Sequence, residues 1–402
     1  MSGKEVTRRR FVGNSARVGA AGIAAFAAIS THAVAASNRI RVGVIGTGQR
    51  GRNRIEAAQK AGAQIVALCD INQAQLDTSE AIVQGEKPTR FVAHEDLLAR
   101  SDIDAVIIAS PDHWHHDQLL DAVAAGKDVY LEKPMARTIE EGRHLVEIVE
   151  KSDRIVQIGN QRRSGKHWEK ARDMVASGKI GPLRFIRTWD TRYRPKDPYV
   201  ARAKNYDEKK IDWMRFLGKA PSRPFDAVRC SAWRWFWDYA GGLMTDIGPH
   251  RLDVAHWISD TLGPRTVVCN GGNYHSPEWQ TPDNVHAILD CGTFVINFNV
   301  HFMNGHDSGG AGYYGTGGTI IHRQQTGVMQ HVDTKGNVVE EWSTPGEGQI
   351  HMDNFLECVR SRKQPNSPVG VAHKVLAGAH LANMSFRSGK RIAWDAHHEK
   401  IL

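Results

Sequence analysis

The sequence predicts an α/β protein of two domains: a doubly wound parallel sheet, then a second α/β domain with a largely antiparallel sheet. Three observations predict it. Buried-strand runs alternate with helical stretches from Arg39 to Ile158, a glycine-rich turn joins the first strand directly to a helix, and from Gly159 longer strands with aromatic content take over.

The chain's 402 residues favour two cores over one. Hydrophobic residues at 41% and charged residues at 24% are ordinary for a globular protein, which excludes a disordered or polytopic membrane chain. Residues 1–36 hold five cations (Lys4, Arg8, Arg9, Arg10, Arg17) and one anion (Glu5), half of the net charge of +8. What remains is too mild and too scattered for a nucleic-acid partner.

Thr7-Arg8-Arg9-Arg10-Phe11-Val12 precedes an apolar, Ala-rich stretch from Val18 to Ile29, and Ala33-Val34-Ala35 offers small residues for a signal peptidase. The arrangement resembles a twin-arginine export signal, so residues 1–36 are expected to be removed and the mature protein to be periplasmic or otherwise exported. The stretch is too short and too diluted with Gly and Ala to span a bilayer, and no membrane span is expected after removal. The expected organisation is signal 1–36, first domain 37–158, and second domain 159–402 with a C-terminal helix packing back. Five cysteines, an odd number without metal-type spacing, predict neither a disulfide framework nor a metal centre.

In the first domain, Arg39 to Ile45 reads as a strand that runs into Gly46-Thr47-Gly48-Gln49-Arg50-Gly51 and then a helix. The first glycine permits the tight turn, the second lets a pyrophosphate approach the backbone, and the third lets helix and strand pack closely. The phosphates would sit on the helix N-terminus. Gln64 to Cys69 reads as the next strand, ending in Asp70, whose carboxylate can accept from ribose hydroxyls and would repel a 2′-phosphate. This is a Rossmann pattern that favours NAD over NADP, although Arg50 and Arg52 could soften the preference. Strands at 104–109, 128–131 and 155–158 alternate with helices at 117–125 and 139–151. Ser110-Pro111-Asp112-His113-Trp114-His115-His116 and Glu132-Lys133-Pro134 fall at strand ends, where such sheets bind ligands.

In the second domain, strands are expected at 183–190, 266–270, 285–289, 293–298 and 319–321, covered on one face by helices near 166–177 and 246–258. The final helix, 371–387, has an apolar period suited to packing back. Gly309 to Gly318 reads as a hairpin loop.

Five ordered motifs, GTGQRG, SPDHWHH, AGKDVYLEKPMA, QIGNQRRS and GGLMTDIGPHRLD, resemble the glucose-fructose oxidoreductase and inositol dehydrogenase family, Gfo/Idh/MocA, from about Arg39 to the end. The leader and Trp233-Arg234-Trp235-Phe236-Trp237 resemble its exported bacterial branch. The resemblance implies an NAD-dependent oxidoreductase acting on a sugar, polyol or glycoside. Lys133 would point at the reacting centre, His250 would accept the proton, and Asp246 would stand beside them. It also implies cofactor contacts from the glycine turn (Gly46, Thr47, Gly48, Gln49, Arg50, Gly51), Asp70, Ser110, Pro111, His113, Trp114, His115, Glu132 and Lys133.

The chemistry of these residue types agrees, because oxidising a carbinol requires a base near neutrality within reach of the hydroxyl proton. Asp246, His250, Asp253 and Trp257 are spaced for one helix face, and Pro249 places the helix start near Thr245. A helix N-terminus and Lys133 would keep His250 neutral while Asp246 opposes this. Arg162, Arg163, Tyr193, Trp235, Trp237 and Tyr239 are the substrate-side candidates, aromatic faces for sugar C–H surfaces and arginines for hydroxyls or a carboxylate. The His113, His115, His116 cluster lacks the companions a metal would need. The open face of the second sheet is the expected homo-oligomer contact. Two other functions use the same residues: an NAD-dependent glycoside hydrolase working by transient oxidation and elimination, and a nucleotide-binding protein without activity.

Overall fold

The computed structural model describes residues 39–402 apart from Pro195, Leu262, Thr344 and Pro345. The expected export signal lies outside the described residues.

The first sheet is built from β1 (Arg41–Ile45), β2 (Gln64–Cys69), β3 (Thr89–Phe91), β4 (Ala105–Ile108), β5 (Asp128–Leu131) and β6 (Val156–Ile158). All its pairs are parallel and the order is β3-β2-β1-β4-β5-β6, a doubly wound sheet that reverses direction at β1/β4. Between the strands run α1 (Gln49–Lys60), α2 (Gln73–Glu80), α3 (His94–Leu98), α4 (Asp112–Ala124) and α5 (Ile139–Glu150). β4 and β5 are buried at every position, which is why β4, and β5 after its opening Asp128, read as apolar runs. Helix α4 begins five residues before the expected 117, so most of the SPDHWHH segment is helical first turn, not strand-end loop.

The second domain opens with α6 (Lys166–Ala176) and β7 (Leu183–Thr191), then three short helices, α7 (Pro198–Arg202), α8 (Trp213–Leu217) and α9 (Ala227–Ser231). Next come α10 (Gly242–Asp246) and α11 (Gly248–Ser259), and then β8 (Thr266–Gly272), β9 (Asn284–Asp290), β10 (Val295–His301) and β11 (Gly309–Gly315). The chain continues through β12 (Thr319–Arg323), β13 (Val328–Val332) and β14 (Val338–Trp342), helices α12 (Glu347–Ser361) and α13 (Val369–Ser388), and the short β15 (Ile392–Asp395) and β16 (Lys400–Ile401). The sheet order is β14-β13-β12-β11-β7-β10-β9-β8-β15-β16, antiparallel except for β7 with β10. Helix α11 packs against both α6 and α13 and against β7; α13 packs on β8 and also reaches α5 of the first domain.

Two expectations are corrected. The Gly309–Gly318 hairpin loop is largely strand β11, paired with β7 and β12 in the middle of the sheet. Its glycines make room for rings: a Cβ on Gly310 would lie 2.4 Å from Trp189, and one on Gly312 would lie 2.7 Å from Tyr314. The helix expected near 246–258 is broken at Ile247, so Asp246 ends α10 while Pro249 and His250 open α11. The five cysteines are free, and four of them are buried. No helix among the described residues is long and apolar enough to cross a membrane.

Candidate functional site

A cleft of about 360 Å³ lies at the carboxyl ends of β1, β4 and β5, where the sheet order reverses, and α10, α11 and the 192–234 segment of the second domain close it. Its size is ordinary for a small-molecule site.

The glycine turn forms one wall. Gly46 has φ +83°, and a Cβ there would lie 2.5 Å from Ser110 N, so only glycine fits. A Cβ on Gly51 would lie 2.0 Å from Gly46 O, which keeps α1 tight against the turn. Gly48 has no atom within 4 Å of an added Cβ and lines the cleft, leaving an open backbone edge. Asp70 braces this turn: Thr47 donates to Oδ2 through its backbone N (2.7 Å) and Oγ1 (3.1 Å), and Asn72 N donates to Oδ1 at 2.9 Å. Burial pushes the Asp70 carboxyl up, and these N–H bonds oppose the shift. Arg52 is turned away onto Thr47 O (3.0 Å) and Gln75 Oε1 (2.7 Å), and Arg50 faces Glu132 at 3.8 Å.

At the other end, Lys133 Nζ donates to Asp246 Oδ1 at 2.7 Å and to Asp246 O at 2.9 Å. Arg234 Nε stands 3.5 Å from the same Oδ1. Burial alone would raise the Asp246 carboxyl, but the Lys133 and Arg234 charges override it and hold the group well below the usual carboxylate range. His250 lines the cleft, and no described residue hydrogen-bonds its ring. Burial, then the charges of Lys133, Arg162 and Arg50, push the imidazole well below its ordinary value, with Asp246 opposing. The result is an anionic Asp246, a cation tied to it, and a neutral imidazole.

Of the residues singled out in the sequence, Gly46, Gly48, Gln49, Arg50, Asp70, Ser110, Pro111, Glu132, Lys133, Asp246 and His250 line this cleft. Thr47 and Gly51 support the turn from behind. His113 is half-buried with Nε2 2.7 Å from Phe216 O, and desolvation takes its pKa down to about 4. Trp114 Nε1 donates to the same carbonyl at 3.0 Å, and its ring lines a smaller pocket shared with Asp70, Ser110 and Pro111. His115 is buried between Pro134 O (2.6 Å) and Ser110 O (2.9 Å), so it ties together the turns after β4 and β5. His116 meets His144 at 3.0 Å, so the three histidines point to different places.

The six substrate-side candidates do not line the cleft. Arg162 stacks on Trp168, Arg163 binds Asp253 at 2.7 Å, and Tyr193 is 66% exposed. Trp235 is buried in a stack with Trp279, Trp237 donates to Gln280 O, and Tyr239 is buried against His113 and Phe216. In their place stand Arg192, Arg194, Tyr199, Arg202, Trp233 and Arg234, which the sequence reading missed. The available signal was the Arg- and Tyr-bearing segment 192–206, whose prolines exclude a strand.

Residues 40–160 match the model of an oxidoreductase family in its NAD-binding Rossmann fold, and residues 165–402 match that family's C-terminal alpha/beta domain. A glycosyl hydrolase family 109 protein of Shewanella baltica strain OS155 is 34% identical over 152 residues, covering 36% of this chain and 33% of that protein. Glycosyl hydrolase family 109 protein 2 of Shewanella sp. strain ANA-3 is 36% identical over 154 residues, covering 36% and 34%. The chain thus spans about a third of the length of these curated relatives. Among solved structures, the WlbA dehydrogenase from Bordetella pertussis, in complex with NADH and UDP-GlcNAcA, superposes with TM-score 0.70 at 22% identity over 89% of this chain and 99% of that chain. Levoglucosan dehydrogenase in complex with NADH and levoglucosan gives 0.71 at 17% identity, with the same coverage. Both have the same fold.

Proposed function

Because the chain belongs to the Gfo/Idh/MocA oxidoreductase family, we propose that it oxidises a hydroxyl of a sugar, polyol or glycoside with a tightly retained NAD. The observation that carries this reading is the meeting of Lys133, Asp246 and His250 in the same cleft as the glycine turn. The dehydrogenases that share the fold were crystallised with NADH and sugars.

The residues fit a dinucleotide. Gly48 leaves a backbone edge open for the pyrophosphate, and Asp70 keeps acceptor capacity for ribose hydroxyls beyond its three bonds. Arg52, engaged on Thr47 O and Gln75, is not available for a 2′-phosphate, which favours NAD over NADP. Bound NAD supplies the hydride acceptor. His250, kept neutral, takes the hydroxyl proton as the carbinol is oxidised. Lys133 spends two of its three N–H donors on Asp246 and has one left to hold the carbinol oxygen and stabilise its developing negative charge. Asp246 fixes that ammonium in place.

A second reading, an NAD-dependent glycosidase that returns the hydride after elimination and water addition, is favoured by the glycosyl hydrolase relatives. The residues of the reacting centre serve both. A nucleotide-binding protein without activity would not need Lys133, Asp246 and His250 together.

The reading also includes twin-arginine export, the division 1–36, 37–158 and 159–402, and a homo-oligomer through the open sheet face. On that face Val268 and Ile288 are paired across β8 and β9, and both are exposed. The experiment is to purify the native protein, identify the nucleotide released on denaturation, and assay the intact protein on sugars and glycosides. Net NADH or a reduced second sugar supports oxidation, and a cleaved glycoside without net redox supports the second reading. No nucleotide and no turnover would contradict both.

A further inference from the structure

The cleft wall missed in the sequence is unusually cationic. Four guanidiniums gather on two rings. Arg194 lies 4.4 Å from the Phe302 centroid and 6.0 Å from that of Tyr199, and Arg192 lies 5.2 Å from Phe302. Arg234 and Arg202 lie 4.8 Å and 5.6 Å from Tyr199. Stacking of this kind holds the planar forks in place and leaves their N–H edges free to meet an oxyanion.

These charges are unequally answered. Arg192 is paired bidentately with Asp190, and Arg234 stands near Asp246. Among the described residues, the Arg202 side chain donates only to the neutral Gln49 Oε1 at 3.0 Å, and the Arg194 side chain has no acidic or hydrogen-bonding partner. The acids of the cleft do not compensate. Asp70 is braced by Thr47 of the glycine turn and by Asn72, Glu132 faces Arg50 and Arg54, and Asp246 is held by Lys133. Asp112 is buried, and burial pushes its carboxyl up to about 8 against the pull of Lys133 and Arg234, so it is largely neutral at pH 7.

Gathering like charges in a cleft costs free energy that an anionic ligand would offset. Arg202, tied to Gln49, stands on the glycine-turn side of the cleft. Arg192 and Arg194 instead leave the end of β7 in the second domain, and the Asp246 carboxylate acts on Arg192. Arg192 is answered by Asp190, so it is Arg194 that is left for a different anion. We propose that the substrate is an acidic sugar, whose carboxylate or ester oxyanion is held by Arg194 while its hydroxyl faces His250.

The inference rests on the carbohydrate reading of the cleft, so its test is a binding measurement that does not require turnover. The NAD-supplemented protein is titrated calorimetrically with glucuronate, galacturonate and glucose 6-sulfate, each against its neutral parent hexose. At least one acidic member should bind about tenfold or more tightly than its parent, the scale of a charge-assisted hydrogen bond. Arg194→Gln should bring that ratio to within about twofold and leave NAD affinity unchanged. Arg184→Gln, at the exposed start of β7, should leave the ratio intact, which separates a local contact from general charge. A ratio near one for all pairs, or one that survives Arg194→Gln, overturns the inference. NADH formation, recorded in parallel, tests the activity separately: oxidation of neutral hexoses alone would keep the oxidoreductase and sink the acidic substrate, and acid binding without hydride transfer would do the reverse.

Discussion

Lys133 Nζ lies 2.7 Å from Asp246 Oδ1 and 2.9 Å from the same residue's backbone oxygen, so the end of β5 in the first domain is tied to the end of α10 in the second. Both side chains are largely buried, at 8% and 20% exposed. A contact of this kind sets the reacting geometry and joins the domains at one point.

Breaking that contact from one side should be costly. Asp246→Leu should destabilise the protein by about 3–5 kcal/mol, because it leaves a buried ammonium without its partner. Adding Lys133→Met should restore much of the loss without restoring activity. Urea unfolding read alongside turnover checks it. If the double variant is no more stable than Asp246→Leu alone, the pair does not act as a unit.

Two glycines of the turn, Gly51 behind it and Gly48 facing the cleft, should behave oppositely. Gly51→Ala places a Cβ 2.0 Å from Gly46 O and should cost about 1–3 kcal/mol of stability through overpacking. Gly48→Ala meets no protein atom within 4 Å, so it should leave the melting temperature alone and weaken NAD binding. Thermal melts and nucleotide titrations separate the two. Unimpaired NAD binding in Gly48→Ala would mean that the pyrophosphate lies elsewhere.

Those glycines, like the parallel strands, were legible because their physics is local. β2 and β5 coincide with the runs 64–69 and 128–131, since after their polar first residues, Gln64 and Asp128, these largely buried strands are apolar to the end. β3 and β14 carry exposed residues and little apolar pattern, so they were not anticipated. β11 reads as a loop because its glycines answer the bulk of Trp189 and Tyr314, which arrive from elsewhere in the chain. Asp246 and His250 have helical spacing, yet a break at Ile247 lets the Asp246 carbonyl meet Lys133. Trp235 and Tyr239 have the chemistry of a sugar platform, but only tertiary packing determines that they are buried while Trp233 reaches the cleft.

The pH dependence follows from the His250 shift. Burial and the charges of Lys133, Arg162 and Arg50 depress its pKa, so the base stays deprotonated as pH falls through 6.5, its ordinary value. Turnover should therefore hold at pH 6.5 and fall only on further acidification through the depressed pKa. Arg50→Gln removes one depressing charge, so the acid limb should move to higher pH. A limb that is already half lost at pH 6.5, or one that Arg50→Gln leaves in place, would assign the titration to another group.

The most direct test of the central claim is pre-steady-state hydride transfer in His250→Ala, followed as NADH absorbance with an identified substrate. The glycine turn and Asp70 lie in the other domain, so NAD should bind almost as in the parent while transfer slows by at least about a hundredfold, the contribution of a general base. Transfer at near the parental rate at neutral pH would contradict the account, because the proton would then leave through a group other than His250.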